Sequence, residues 1–179
     1  MTSLPEKLLA IHDALSAAKL PHAFGGAIAL AYCTEEPRGT RDIDVNVFAA
    51  PGRAAEILAG FPADTAVSAA DIDAAERDGQ VRVWWDDTPI DLFLDVHPFH
   101  AEVAAGVRMV PFSGRSIPVV GCTALAVFKT LLDRTKDWAD IEAMADAGAA
   151  DLAEALVWVE RALGPDDQSV RRLTALAHG

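Results

Sequence analysis

Apolar residues recur along this chain with two different periods, and the change of period organises it. Leu8, Ile11, Leu15 and Ala18 fall at helical spacing. Ser3 to Glu6 ahead of them reads as a capping box, with Pro5 tolerated in the first turn. The pattern predicts an amphipathic helix over 4–19. His22 to Phe24 reads as a short extended segment, and Gly25-Gly26 then opens onto a second helix, "AIALAYC". Residues 35–40 form a polar loop, and alternation predicts a strand over 41–48. Residues 51–60, started by Pro51, and residues 69–78 read as short helices. "QVRVWW" and "IDLFLDV" are two apolar, β-rich runs around a polar turn carrying Asp86, Asp87 and Pro89, which predicts a hairpin. A helical turn over 99–105 precedes a second hairpin over 107–120, reversing at Ser113-Gly114.

From Cys122 onward the period is helical throughout. Leu125, Phe128 and Leu132 make one stripe, and Trp138, Ile141 and Ala145 the next. Residues 151–163 and 166–177 continue in the same way. The predicted fold class is α/β (α+β): a short, mixed, mostly antiparallel sheet flanked by helices, with a C-terminal helical bundle. An α/β core over 1–120 is followed by a helical region over 121–179. No Gly/Ser-rich linker separates them, so the helices are expected to pack on the sheet and close a cleft. A chain of 179 residues fits one such domain.

Charge and cysteine usage narrow the classes. A net charge of −12 argues against a broad electrostatic grip on nucleic acid, which needs clustered Lys and Arg. It suits a site that collects divalent cations, and an acidic cleft would suit a polycationic acceptor. No apolar run reaches the roughly 18 residues of a membrane span, and the first residues lack the pattern of a secretory signal. The expected setting is cytoplasmic, away from the membrane. Cys33 and Cys122 stand in no CxxC or Cys/His pattern, so they are expected to be free, buried thiols in a reducing compartment.

Candidate chemistry centres on "RGTRDIDVNVF". Residues i and i+2 of a strand face the same way, so Asp42 and Asp44 converge. Two such carboxylates repel, and each raises the other's pKa. Mg²⁺, a hard ion that prefers oxygen ligands, turns that repulsion into coordination, with a triphosphate supplying further oxygens. By itself the pair also reads as two solvated aspartates beside Arg38 and Arg41, and glycosyltransferases use such a pair too. Three features add weight. Gly25-Gly26 at a helix start lets backbone N–H groups approach phosphate. Asp91 in "TPIDLFLD" offers a third carboxylate that could complete the clamp or accept a hydroxyl proton; Asp95, of the same parity, is its rival. Lys129 departs from its helix's apolar stripe and would point towards phosphates. Arg134, Lys136, Asp137 and Asp140 bunch nearby, where helical ion pairs and helix-start carboxylates are the competing reading. His22, His97 and His100 share no metal-ligand spacing and read as structural. Of Trp84 and Trp85, one is expected in the core and one outside.

The order Gly-Gly, helix, Arg-Asp-x-Asp strand, third-Asp strand, Lys helix, Lys-Asp-x-x-Asp resembles the DNA-polymerase-β-type nucleotidyltransferase superfamily. Within it the chain is similar to the small bacterial AbiEii/MenT-like enzymes, whose toxin members belong to toxin–antitoxin pairs. The resemblance spans residues 20–145 and is most specific over "FGGAIALAY" and "RGTRDIDV". It implies an NTP substrate, Mg²⁺ held by Asp42, Asp44 and Asp91, and phosphates cradled by Gly25 and Gly26. It implies charge neutralisation by Arg41 and Lys129, and a role for Asp137 in or beside the site. The implied acceptor is a hydroxyl of tRNA, of a protein or of a small molecule such as an aminoglycoside, and an antitoxin protein is a possible partner. A non-catalytic nucleotide- or partner-binding relative is the remaining class. Many superfamily members carry Gly-Ser where this chain has Gly25-Gly26, which opens the acceptor class. The acidic balance argues against tRNA.

Overall fold

The computed structural model describes residues 2–37 and 39–178, so Arg38 lies outside the described residues. The elements follow the predicted periods. They are α1 (Leu4–Ala17), β1 (His22–Phe24), α2 (Gly26–Thr34) and β2 (Ile43–Val47). A 3-10 turn (Pro51–Arg53) leads into α3 (Ala54–Ala59), then β3 (Thr65–Ala66) and α4 (Ala69–Asp78). The hairpin of β4 (Gln80–Trp85) and β5 (Thr88–Leu94) is followed by α5 (Phe99–Ala105), β6 (Arg108–Phe112) and β7 (Arg115–Val119). Four helices close the chain: α6 (Cys122–Leu132), α7 (Thr135–Asp146), α8 (Leu152–Leu163) and α9 (Gln168–His178). Caps fix several starts. Glu6 accepts from Ser3 N at 2.7 Å before α1, and Ser68 and Asp71 cap each other's backbone N–H groups before α4.

The strands form one mixed sheet in the order β3-β4-β5-β2-β1-β7-β6. β2 pairs parallel with β5 and β1 parallel with β7; the other four pairings are antiparallel. Period-2 alternation gives the central strands two unlike faces. Ile43, Val45 and Val47 of β2 and Ile90, Leu92 and Leu94 of β5 are fully or almost fully buried on one side. Asp44, Asn46, Asp91 and Phe93 occupy the other. Gly25 donates its N–H to Asp44 O at 2.9 Å, which ties the start of α2 to β2. α6 and α7 pack on α2, so the C-terminal helices form the second wall of the cleft.

Two expectations change, and two features were not foreseen. Pro89 lies inside β5 opposite Trp84, and the hairpin reverses on Asp86-Asp87 alone, with Asp86 at φ 52°. The two-residue strand β3 was not expected; it is too short to carry a period. Lys7, on the inner face of α1, is 2% exposed because its Nζ donates to Trp85 O at 2.8 Å and Thr88 Oγ1 at 3.0 Å. Cys33 and Cys122 are not free thiols: they form a disulfide between the last turn of α2 and the first turn of α6, with Cα atoms 5.7 Å apart. No local spacing announces a pair 89 positions apart. Trp85 is buried and Trp84 is exposed, as alternation requires. Among the described residues no helix is long and apolar enough to cross a membrane.

Candidate active site

The parallel pairing of β2 with β5 places Asp44 directly beside Asp91 and Asn46 beside Phe93. Asp42 sits one residue ahead of β2, where Thr40 Oγ1 donates to its Oδ1 at 2.5 Å. All three carboxylates line one cleft of about 610 Å³ together with Gly25, Gly26 and Arg41. Asp95 does not line it; this residue is exposed just past β5, with Oδ1 3.9 Å from His100 Nδ1. The cleft is within the size range of small-ligand sites.

The glycine turn is fitted to Asp44. Gly26 has φ +51°, and a Cβ there would collide with Asp44 Oδ2. A Ser at this position would therefore be strained in its backbone and would displace the carboxylate, which gives a physical reason for Gly-Gly in this chain. α2 starts at Gly26, so its first N–H groups open towards the carboxylates.

Crowding shows in the electrostatics. Burial, followed by the charges of Asp42 and Asp91, pushes the Asp44 carboxyl up to about 6, against the pull of Lys129 and Lys136. Asp91 is held differently. Arg82, its direct partner on β4, donates to both carboxylate oxygens at 2.7 Å. Among the described residues no group of three or more His, Cys, Asp or Glu is arranged to hold an ion. The all-oxygen pair Asp42/Asp44 still fits Mg²⁺, which takes one or two carboxylates and completes its shell with water and substrate phosphate.

Lys129 lines the cleft, but its ammonium is committed to a buried network on α7. Nζ donates to Asp140 Oδ2 at 2.6 Å and to Asp137 Oδ1 at 3.3 Å. Asp137 is fully buried and is not part of the cleft surface; Arg134 Nε also donates to its Oδ2 at 2.5 Å. Burial raises the Asp137 carboxyl, yet Arg134 and Lys129 outweigh it and hold the group below the ordinary range. Asp140 rather than Asp137 faces the cleft. Lys129 therefore acts on the site through its field on Asp44 instead of presenting a loose ammonium.

Sequence reasoning missed Arg82 and Asn46 as cleft residues, whereas Lys136, one of the cluster beside Lys129, does line it. For Arg82 and Asn46 the signal was strand parity: each shares a face with the carboxylates once the register is known. The expectation of an acidic cleft is also corrected. Among the described residues, five Lys and Arg line it (Arg41, Arg82, Lys129, Arg134 and Lys136). Only five of the chain's 27 Asp and Glu do (Asp42, Asp44, Asp78, Asp91 and Asp140). Among the described residues the cleft is thus balanced, and the net −12 is carried elsewhere.

No protein-family model matches the sequence, and no curated protein matches it. Solved structures do. The solution structure of the antibiotic-resistance factor ANT(2'')-Ia is 16% identical over 97% of this chain and 95% of that one, with a TM-score of 0.57; the same factor has been solved in complex with adenylyl-2''-tobramycin. An antigenic nucleotidyltransferase-like protein from Paracoccidioides brasiliensis is 18% identical, covering 100% and 99% of the two chains, with a TM-score of 0.56. Lincomycin-bound LnuA, a lincosamide antibiotic adenylyltransferase, is 14% identical over 80% and 98%, with a TM-score of 0.51. The mixed sheet with its flanking helices is the nucleotidyltransferase fold.

Proposed function

We propose that this protein is a Mg²⁺-dependent nucleotidyltransferase that moves an NMP from an NTP to a hydroxyl of a small-molecule acceptor. The carrying observation is the placement of Asp44 against the Gly25-Gly26 turn, with Asp91 in register on the next strand and Asp42 lining the same cleft. The first N–H groups of α2 would bind phosphate oxygens, and Asp42 and Asp44 would hold the ion. When bound, Mg²⁺ would supply positive charge to the phosphate oxygens and offset the burial and like-charge repulsion that raise the Asp44 carboxyl. Arg41 and Lys136 would neutralise the departing pyrophosphate, with Lys129 contributing from behind. The acceptor oxygen bonds to the α-phosphorus as the bond from that phosphorus to the pyrophosphate oxygen breaks. Asp91 would take the hydroxyl proton, provided that Arg82 gives up one of its two hydrogen bonds.

Two structural neighbours favour a small acceptor over RNA: one has been solved with an adenylylated aminoglycoside, and the other is named for lincosamide adenylylation. An NTP-dependent role ties this reading to the cytoplasm, where the buried Cys33–Cys122 bond would meet a reducing pool. Incubation with labelled NTPs, Mg²⁺ and either total RNA or a set of hydroxylated antibiotics tests the reading. Label on a small molecule supports it. Label on RNA moves the protein to the toxin class of AbiEii/MenT-like enzymes, for which an antitoxin partner is then sought. Nucleotide binding without transfer identifies a non-catalytic relative. Asp44→Ala should lower transfer by about 10³-fold while the circular dichroism spectrum is retained, because it removes a ligand rather than core.

A further inference from the structure

The cleft has two unlike halves. One holds the carboxylates, the glycine turn and the basic residues. The other begins one step further along the same sheet face, at Asn46 and Phe93. Phe93 and Val96 line it from the sheet, and Phe128, Leu131 and Leu132 line it from α6. Val96, Leu131 and Leu132 are 57%, 39% and 53% exposed, so three of the seven exposed large hydrophobic side chains among the described residues line this one cleft. Phe128 is held edge-on by Phe99 at 5.5 Å between ring centroids, which fixes the wall's shape. Asn46 is 5% exposed and borders the cleft, and its side-chain amide has no hydrogen-bond partner among the described residues. The amide is left open to the cleft, where water or a ligand can bond it.

Resting on the transferase reading above, we infer that this half is the acceptor subsite. It takes an amphiphilic hydroxyl compound, with an apolar body laid on Phe93, Val96, Phe128 and Leu132 and a hydroxyl bonded to the Asn46 amide. The amide both donates and accepts, so it suits a hydroxyl better than an ammonium, which only donates. The balanced charge of the cleft likewise lacks the excess of carboxylates that a polycation needs. Val96, Leu131 and Leu132 would remain in water without an occupant, and an apolar body covering them gains affinity with each methylene buried.

The test uses the full chain with AMPCPP and Mg²⁺, and hexyl β-D-glucoside, glucose and spermine as probes, read by calorimetry with and without the nucleotide analogue. Hexyl glucoside should bind about tenfold or more tightly than glucose, and spermine should not compete with it. Leu132→Glu and Val96→Glu, both at exposed positions, should each weaken hexyl glucoside by about tenfold while AMPCPP affinity stays within about twofold. Asn46→Ala should narrow the preference for the glucoside over hexane-1-sulfonate, which offers no hydroxyl. Equal binding of glucose and hexyl glucoside, preference for spermine, or indifference to Leu132→Glu overturns the inference. So does a dimer that Leu132→Glu dissolves, because the wall would then belong to a second copy. A chain that takes hexyl glucoside but no AMPCPP overturns the transferase reading instead, and with it the acceptor role.

Discussion

Two charge clusters face each other across the cleft and are built on opposite principles. On the sheet side, Asp42, Asp44 and Asp91 bring like charges together, and burial followed by the charges of Asp42 and Asp91 pushes the Asp44 carboxyl up to about 6. On the helices, Lys129 and Arg134 surround Asp137, whose carboxyl is held below the ordinary range although it is fully buried. The first cluster stores unfavourable charge that a cation can relieve. The second is internally satisfied and holds α6 against α7. A strained cluster marks where a ligand is needed, and a satisfied one marks what keeps the wall in place.

The contrast can be broken from either side. Lys129→Met should do the greatest damage to stability, about 3–5 kcal/mol by urea denaturation, because it removes a buried cation from two carboxylates. Next is pH. Asp44's folded pKa lies above its unfolded value of 3.8, so the folded state binds more protons between about 4 and 6 and stability falls as pH rises through that window. The shift corresponds to roughly 3 kcal/mol, which Asp44→Asn should abolish in metal-free protein. Asp137 has the opposite sign: its contribution is present above the unfolded pKa and is lost as pH falls through its lower folded value. Denaturation curves from pH 3 to 7 should therefore show stability highest near pH 4 to 5 in the wild type and shifted upward in Asp44→Asn. Gly26→Ala, which drives a Cβ into Asp44, should lower transfer by about 10²-fold through misplacement. Arg82→Gln should be mildest, at most about 1 kcal/mol of stability, since Arg82 is half exposed. If it raises the rate, the Arg82 contact restrains Asp91; if it lowers the rate, Arg82 itself serves the substrate.

Much of this was legible before any coordinates. Alternation in "RDIDVNV" and "IDLFLDV" placed Asp44 and Asp91 opposite the core, and the helical stripes placed α1 and α6 to α9. What stayed hidden depended on register and on distance along the chain. Arg82 meets Asp91 only because β4 pairs with β5 in the observed offset, and Asn46 borders the cleft only because β2 lies beside β5. The commitment of Lys129 to Asp137 and Asp140 depends on the angle at which α7 leaves α6, which no periodicity encodes. The charge total misled in the same way: it describes the whole surface, and the cleft departs from that average.

The link between Cys33 and Cys122 makes a covalent ring of the chain between them. Asp42, Asp44, Arg82 and Asp91 are inside that ring; the glycine turn and Lys129 are outside it, each a few residues from a bridgehead. A single protease cut in an exposed segment such as 35–37 would leave both fragments tethered until a thiol reagent was added. Gel mobility after nicking, with and without that reagent, would reveal the ring directly.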